Sequence, residues 1–434
     1  MIKEPRVAAV VPVFNRLETT RTFVEAFRRL DYSNRILVIC DDGSTDGTGE
    51  YLRSQSDVIT VQGDGNLWWS GGTNAAIAAA MKHQPDYILT INDDSIFSPD
   101  YLTHLVNAAL EHPNSLMASS LVQWQCPDRH WSLGATYLNY GHVLYINDFF
   151  GALSSHVSAL IASPFVVDTT PGNGVLYPVA AFEKIGLFDV KWTPQYHGDT
   201  LLVHRAQKAG FPTRLCLEAV ISNDMGHHGQ AIKYDRLLSK KSATYAPAMY
   251  KSVEEREGRE VATESLWGLT AAYGGEFSPE SQKAWKSLKS RSVEDSDFVF
   301  DPHFAQLASS GDFALLGYSA SADLEIERLG KGNHMQHVVK GFGLLEVVVR
   351  IRRSCSAYFF LFTDRPMEHF DVLRPNAERG FLKLADEHVE WFRLDFSDCQ
   401  DTRIPLCLDM GDAVWHSLFI ITDQNVSRSL LRSL

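Results

Sequence analysis

The reading of the fold turns on Tyr87-Ile88-Leu89-Thr90-Ile91-Asn92-Asp93-Asp94. Its first five residues form an unbroken apolar and β-branched run, the pattern of a strand buried on both faces. The run ends on two adjacent carboxylates. Three further stretches follow the same plan. Arg6–Val11 leads into Pro12-Val13-Phe14-Asn15-Arg16, and Arg35–Cys40 into Asp41-Asp42-Gly43-Ser44-Thr45-Asp46-Gly47-Thr48. Asp57–Val61 leads into Gly63-Asp64-Gly65-Asn66-Leu67-Trp68-Trp69-Ser70-Gly71-Gly72. Helical segments separate them. Leu17–Leu30 places Leu17, Phe23, Val24, Phe27 and Leu30 on one face, Gly71–His83 is rich in alanine, and Ser98-Pro99 reads as the N-cap and first residue of another helix. Alternating strands and helices predict an α/β fold, a mostly parallel sheet covered by helices.

Open parallel sheets bind ligands at the carboxyl ends of their strands. Here four such ends carry glycine or polar residues, which points to one nucleotide site rather than four unrelated loops. An aspartate after the second strand can accept from a base or ribose, and the glycines allow close backbone approach. Two neighbouring carboxylates are costly unless a cation meets them. Mg²⁺ or Mn²⁺, held by one or two carboxylates and phosphate oxygens, is the expected cofactor. The plainer reading of each segment is a solvated turn, since Asp, Gly and Ser are common turn residues.

Further along, Val166–Asp168 is strand-like, Gly172-Asn173-Gly174 is a tight turn, Thr200–Ala209 is a helix closed by Gly210, and Thr213–Ile221 is a last strand. From Tyr234 to about Ser290 the chain is charged and helical in character. Beyond Val299 the segments Leu344–Ile351, Ala357–Thr363, Val389–Phe396 and Trp415–Thr422 are aromatic and β-branched, with no strong helix between them. That pattern predicts an all-β sandwich with Trp391 and Trp415 in its core. The expected organisation is an α/β domain over 1–235, a helical connector over 236–298 and a β-sandwich-like accessory domain over 299–434. A chain of 434 residues has room for two or three such units.

The formal net charge of −13 disfavours nucleic-acid partners, because an acidic chain repels phosphate backbones over long range. None of the six cysteines (Cys40, Cys126, Cys216, Cys355, Cys399 and Cys407) forms a Cys-x-x-Cys pair. They read as free thiols of a reducing compartment. No apolar run reaches the ~18 residues of a membrane span, and MIKEPRVAAVVPVFNR reads as a strand, not a signal peptide. A cytoplasmic protein is expected, with peripheral attachment to the inner face of the cell membrane left open.

The segments VVPVFNR (10–16), CDDGSTDGT (40–48), GNLWWSGGTN (65–74), NDDS (92–95), PGNG (171–174), IGLFD (185–189) and HGDTLLVHRA (197–206) together resemble, in this order, the family 2 inverting glycosyltransferases of the GT-A fold. GNLWWSGG resembles the bacterial rhamnosyltransferases. The resemblance covers Val7 to Asp224, just over half of the chain. It implies a hexosyltransferase taking a UDP- or dTDP-sugar, with dTDP-rhamnose a candidate. It also implies a glycan or lipid-linked glycan acceptor in surface polysaccharide synthesis.

Residue by residue, it implies that Pro12, Val13, Asn15, Arg16, Asn66, Gly71, Gly72 and Asn74 line the nucleotide site. Asp42 would contact the uracil or thymine ring or the ribose, Asp93 ribose or metal, and Asp94 the metal. Trp68, Trp69, Gly172, Asn173, Gly174 and His197 would meet sugar or acceptor. Asp199, six residues before Arg205, would be the catalytic base. One base and one displacement imply inversion at the anomeric carbon. The metal and the amides opening the helix at Gly71-Gly72 would stabilise the leaving diphosphate.

The chain departs from the family at three places. Asn92 stands where the first carboxylate of the metal motif is usual, Leu201 where many relatives have a second acid, and Asn223 where a metal-binding histidine is common, with His227 nearby. Several residues also have plainer readings: helix capping for Asp199, core packing for Trp68 and Trp69, and a solvated face rather than a lid over phosphates for Lys240-Lys241. A sugar nucleotidyltransferase would need a glycine-rich loop after the first strand, which is missing. A non-catalytic carbohydrate-binding protein gains weight from Leu201 and Asn223 and loses it from Asp94 and Asp199. The β-rich tail is expected to bind acceptor glycan or to mediate homo-oligomer formation.

Overall fold

The computed structural model describes residues 4–140, 143–223, 237, 239–243, 245–273 and 299–300, and after them the strands and short joins between 306 and 434. Two compact units share the chain. The first holds Met1–Pro127, Asn139–Leu144 and Thr169–Trp285, and the second Asp128–Leu138, Tyr145–Asp168 and Lys286–Leu434.

The first unit is built on strands β1 (Val7–Val13), β2 (Arg35–Asp41), β3 (Val58–Gln62), β4 (Tyr87–Thr90), β5 (Leu116–Gln123), β6 (Val175–Pro178) and β7 (Thr213–Asn223). Their order in the sheet is β3-β2-β1-β4-β6-β5-β7. Neighbours run parallel except around β6, which pairs antiparallel with both β4 and β5. The expected mostly parallel α/β sheet is therefore present. β5 and β6 escape the sequence pattern because Ser119-Ser120 interrupts the apolar run of β5, and β6 is only four residues long and ends on Pro178. All eight residues of β5 are buried.

The described helices before residue 274 are α1 (Leu17–Arg28), α2 (Thr48–Ser54), α3 (Trp68–Met81), α4 (Tyr101–Glu111), α5 (Ser154–Leu160), α6 (Val179–Ile185), α7 (Gly198–Lys208), α8 (Ala246–Glu257) and α9 (Arg259–Tyr273). Of these, α5 belongs to the second unit. α3 and α7 pack on one face of the sheet, where Ala76, Ile77, Leu202 and Val203 meet Val10 and Val38. The glycine pair of α3 has a packing reason. A Cβ at Gly72 would lie 3.0 Å from the Cβ of Pro12, so only glycine lets the helix settle this close to β1. α4 starts later than Ser98-Pro99 indicates. Asp100 is its N-cap residue, Ser98 bonds to the Asp100 carboxylate, and the two residues form a turn ahead of the helix. α8 is tied to α7 by Arg205, whose guanidinium bonds Glu255 at 2.7 Å and Asp189 at 3.3 Å.

Among the described residues, the second unit contains sheets of five and seven strands. The four strands legible in its sequence all form, as Gly343–Ile351, Ser356–Thr363, Glu387–Asp395 and Trp415–Thr422. Ser356–Thr363 lies antiparallel between Glu387–Asp395 and Trp415–Thr422. Trp391 and Trp415 are buried in this unit. Chain order does not separate the two units, because two stretches from before residue 170 build into the second. Phe149 packs on Phe419 with ring centroids 5.7 Å apart, and His156 stacks on Phe362 at 4.3 Å. The Ala162 amide donates to the Asn425 carbonyl, and the Ser427 amide to the Leu160 carbonyl.

Cys40, Cys126, Cys216 and Cys355 are free. Burial pushes the Cys40 and Cys216 thiols up to about 12, which leaves them unreactive at neutral pH. Among the described residues, no helix is long and apolar enough to cross a membrane.

Candidate active site

The carboxyl ends of β1, β2 and β4 and the N-termini of α3 and α7 carry most of the expected site residues, while Asn66 follows β3, Asn74 lies inside α3 and the turn 172–174 precedes β6. Asn15 sits at φ 52, a left-handed conformation that asparagine tolerates. Its amide donates to Ser44 Oγ at 2.8 Å, and its Oδ1 accepts from the Thr45 amide at 2.7 Å. This stitches the loop after β1 to the loop after β2. The Val13 carbonyl accepts from the Asp42 amide, continuing that seam.

Asp42 is buried and fully engaged. Its carboxylate accepts from the backbone amides of Gly65 (2.9 Å), Leu67 (3.0 Å) and Trp68 (3.1 Å). It thus caps α3 from a different strand, a charge-assisted arrangement at the positive end of the helix. The remaining opening amides are also satisfied. Trp69 N–H donates to Gln195 Oε1, Ser70 N–H to the Pro194 carbonyl, and Gly71 N–H to the Leu67 carbonyl. The expectation that the amides opening this helix stabilise a leaving diphosphate is therefore not met, because each already has a protein acceptor.

Asn66 is exposed, and its amide donates to Asp64 Oδ1. Asn74 grips the backbone of Phe188 through both ends of its amide, at 2.9 and 3.0 Å. Trp68 is held at φ 58, with Lys241 Nζ 5.6 Å from its ring centroid. Trp69 stands edge-on to Phe188, and its indole N–H donates to Asn92 Oδ1 at 3.0 Å. That bond gives Asn92 a physical role, since the neutral side chain orients the tryptophan instead of adding charge to the motif.

Asp93 is buried and accepts from Thr20 Oγ1 at 2.9 Å. Arg16 lies across the acidic pair, with Nε 3.3 Å from Asp93 Oδ1 and Nη2 3.0 Å from Asp94 Oδ2. Burial drives the Asp93 carboxyl up to about 6, against the opposing pull of Arg16 and Thr20. The other Asp94 oxygen, Oδ1, is buried with no hydrogen-bond partner. No cluster of three or more ligand-type side chains suited to a metal occurs among the described residues. Asn223 ends β7, but its side chain, like His227, lies outside what the structure describes.

The turn 172–174 links this acidic pair to Asp199. Asn173 Oδ1 accepts from the Asn92 amide and from Ser95 Oγ, both at 2.9 Å. The neighbouring Gly172 amide donates to Asp199 Oδ2 at 2.8 Å. Asp199 Oδ1 accepts from the Thr200 amide, so the carboxylate is held from two sides within the first turn of α7. Helix capping and a catalytic role are therefore compatible for Asp199. The cap residue itself is His197, at φ 65, with its ring buried and bonded to the Ala243 carbonyl. Burial lowers the His197 pKa, which keeps the ring neutral. Gly172 has no room for a side chain. A Cβ there would come within 2.8 Å of Trp69 and 2.9 Å of Asp199 Cβ. Gly174, at φ +80, is equally confined by Ile221 and Ser119. Leu201 is buried in the core, so nothing at that position can act as an acid.

The structure thus joins Trp69, Asn92, Asn173, Gly172 and Asp199 in one connected network. It assigns Asn74 and Asp42 to holding the backbone. The sequence pattern misses Thr20 and Thr90, whose hydroxyls bond Asp93 and the Gly172 carbonyl, and Gln195, which caps α3. Only Thr20 leaves a trace, one helical turn beyond Arg16.

Residues 8–165 match the family model described as glycosyl transferase family 2. Two curated relatives are similar. The uncharacterized glycosyltransferase RP339 of Rickettsia prowazekii is 24% identical over 199 residues, which are 45% of this chain and 58% of that one. RT0329 of Rickettsia typhi is 24% identical over 196 residues, 44% and 57% of the two chains. The matches thus span less than two thirds of these relatives' length. Among solved structures, the mannosyltransferase PcManGT of Pyrobaculum calidifontis in complex with GDP-Man and Mn²⁺ aligns with TM-score 0.41 and 13% identity, over 67% of this chain and 81% of that one. S. aureus TarS 1-349 in complex with UDP-GlcNAc aligns with TM-score 0.42 and 15% identity, over 65% and 79%.

Proposed function

We propose that the chain, whose residues 8–165 match the glycosyl transferase family 2 model, moves a sugar from a nucleotide diphosphate donor to a glycan hydroxyl, with inversion. The observation that carries this reading is the Asp199 carboxylate. It is pinned by the Gly172 and Thr200 amides and joined through Asn173 to the acidic end of β4. A carboxylate fixed in place by two backbone amides is suited to accept a proton from an attacking hydroxyl. Asn15, Arg16 and Asp93 would receive the nucleotide, while Trp68, Trp69 and the turn 172–174 would face the sugar. A UDP- or dTDP-sugar, dTDP-rhamnose among them, and an acceptor of surface polysaccharide type remain the donor and acceptor classes to test first.

The residues present fit a divalent metal held mainly by the donor. Asp94 Oδ1 is a buried oxygen without a partner, and Mg²⁺ or Mn²⁺ commonly takes one or two carboxylates together with phosphate oxygens. Asp94 would hold the ion, with Asp93 behind it. Such an ion would supply charge neutralisation for the leaving diphosphate.

The test is nucleotide release from a panel of nucleotide sugars with Mn²⁺, run on wild type, Asp199→Asn and Asp94→Ala. Turnover by wild type, with a loss of about 10²-fold or more in Asp199→Asn, supports the assignment. Equal turnover in Asp199→Asn removes the base. No turnover with any donor, together with retained glycan binding, turns the reading to a carbohydrate-binding protein.

A further inference from the structure

We propose that Arg16 is a resident counter-cation of the Asp93-Asp94 pair, competing with the divalent metal for Asp94 and so setting how weakly the chain takes metal before a donor arrives. The proposal rests on the metal-assisted reading of this site, but its test uses no donor.

The two carboxylates have four oxygens between them. Arg16 Nε meets Asp93 Oδ1 at 3.3 Å, Thr20 takes Asp93 Oδ2 at 2.9 Å, and Arg16 Nη2 meets Asp94 Oδ2 at 3.0 Å. Only Asp94 Oδ1 is left unpaired. The backbone that carries the guanidinium is anchored: the Arg16 amide donates to Thr48 Oγ1 at 3.3 Å, and the preceding Asn15 is locked onto Ser44 and Thr45. Arg16 therefore sits at the N-cap of α1 with its charge aimed at the motif.

A divalent ion approaching Asp94 meets this fixed positive charge a few ångströms away and must share or displace it. One carboxylate oxygen with a competing cation makes a poor metal site alone. Phosphate oxygens of a donor would complete it. Arg16 is thus a positioning residue, which holds the two aspartates in place and keeps unproductive metal out.

The experiment is a Mn²⁺ titration of the nucleotide-free 434-residue chain, with free Mn²⁺ read by electron paramagnetic resonance. It compares wild type, Arg16→Gln, Arg16→Lys and the double variant Arg16→Gln/Asp94→Asn. Removing one unit charge this close should tighten Mn²⁺ binding about tenfold or more in Arg16→Gln. Arg16→Lys, whose compact ammonium cannot bridge both carboxylates, should show a gain of a few-fold. Adding Asp94→Asn should abolish the gain, which locates the ion at this pair. Unchanged or weaker Mn²⁺ binding in a folded Arg16→Gln protein overturns the proposal. If that variant does not fold, the absence of any gain in Arg16→Lys overturns it instead. The donor panel and the Mn²⁺ titration can fail independently, so the proposed transfer activity and the competition are judged apart.

Discussion

Replacing Asp93 by asparagine should make the protein more stable at neutral pH, and the gain should fade in acid. Burial raises the Asp93 carboxyl from 3.8 to about 6 despite the guanidinium beside it. Well below pH 3.8 the group is protonated in both folded and unfolded chains and contributes nothing. As pH rises towards 6, the unfolded chain ionises first, so folding loses free energy. Above 6 the full cost is present. About two pH units at 1.36 kcal/mol each amount to about 3 kcal/mol near pH 8, shrinking to about 1 kcal/mol at pH 4.5. An amide has no proton to lose, still offers Thr20 an acceptor, and leaves Arg16 its contact with Asp94. Asp93→Asn should therefore melt roughly 5–10 °C higher at pH 8, with a much smaller gain at pH 4.5. Scanning calorimetry from pH 4.5 to 8 in EDTA makes the comparison and separates the transitions of the two units. A gain that does not change with pH, or a variant less stable than wild type at pH 8, would refute the reasoning.

Asp42→Ala strips three amides of their acceptor and should cost about 3 kcal/mol or more, so that any loss of nucleotide binding comes with a lower melting temperature. An unaltered melt would contradict the capping role. Gly172→Ala pushes a methyl group against Trp69 and Asp199, and should cut turnover at least about tenfold by displacing the proposed base. Steady-state kinetics beside a melt decides this, and wild-type turnover would show that the turn can yield. Truncation after residue 298 uncovers Phe149, Val157, Leu160 and Ile161, which are buried in the second unit. The product should aggregate or bind a hydrophobic dye, and a monodisperse truncated protein would count against that.

The sequence made the sheet legible wherever strand and helix periodicities alternated. β1 to β4 and β7 announce themselves, as do four strands of the second unit, whereas the equally long Phe313–Ala320 and Thr402–Met410 do not. β5 and β6 do not, because Ser119-Ser120 breaks the apolar run of β5 and the four residues of β6 end on a proline. The chemistry-bearing residues were legible as types at strand ends, but their division of labour was not. Asp42 and Asp93 look alike in sequence. The structure commits the first to three backbone amides and leaves the second beside a cation. That difference depends on which amides α3 presents across the sheet, information that no local pattern holds. The same applies to Asn92, whose neutral side chain looks like a loss until Trp69 is seen to need an acceptor.

The interleaving of the two units has a consequence during synthesis. Phe149 leaves the ribosome roughly 270 residues before Phe419, the ring it packs against. At about 5–20 residues per second, Phe149 and α5 wait on the order of 15–55 s for the strands they pack against. Until then the first unit can close its own sheet while an apolar excursion stays uncovered. The interval favours a chaperone at this point in translation, and a slower ribosome would lengthen the exposure.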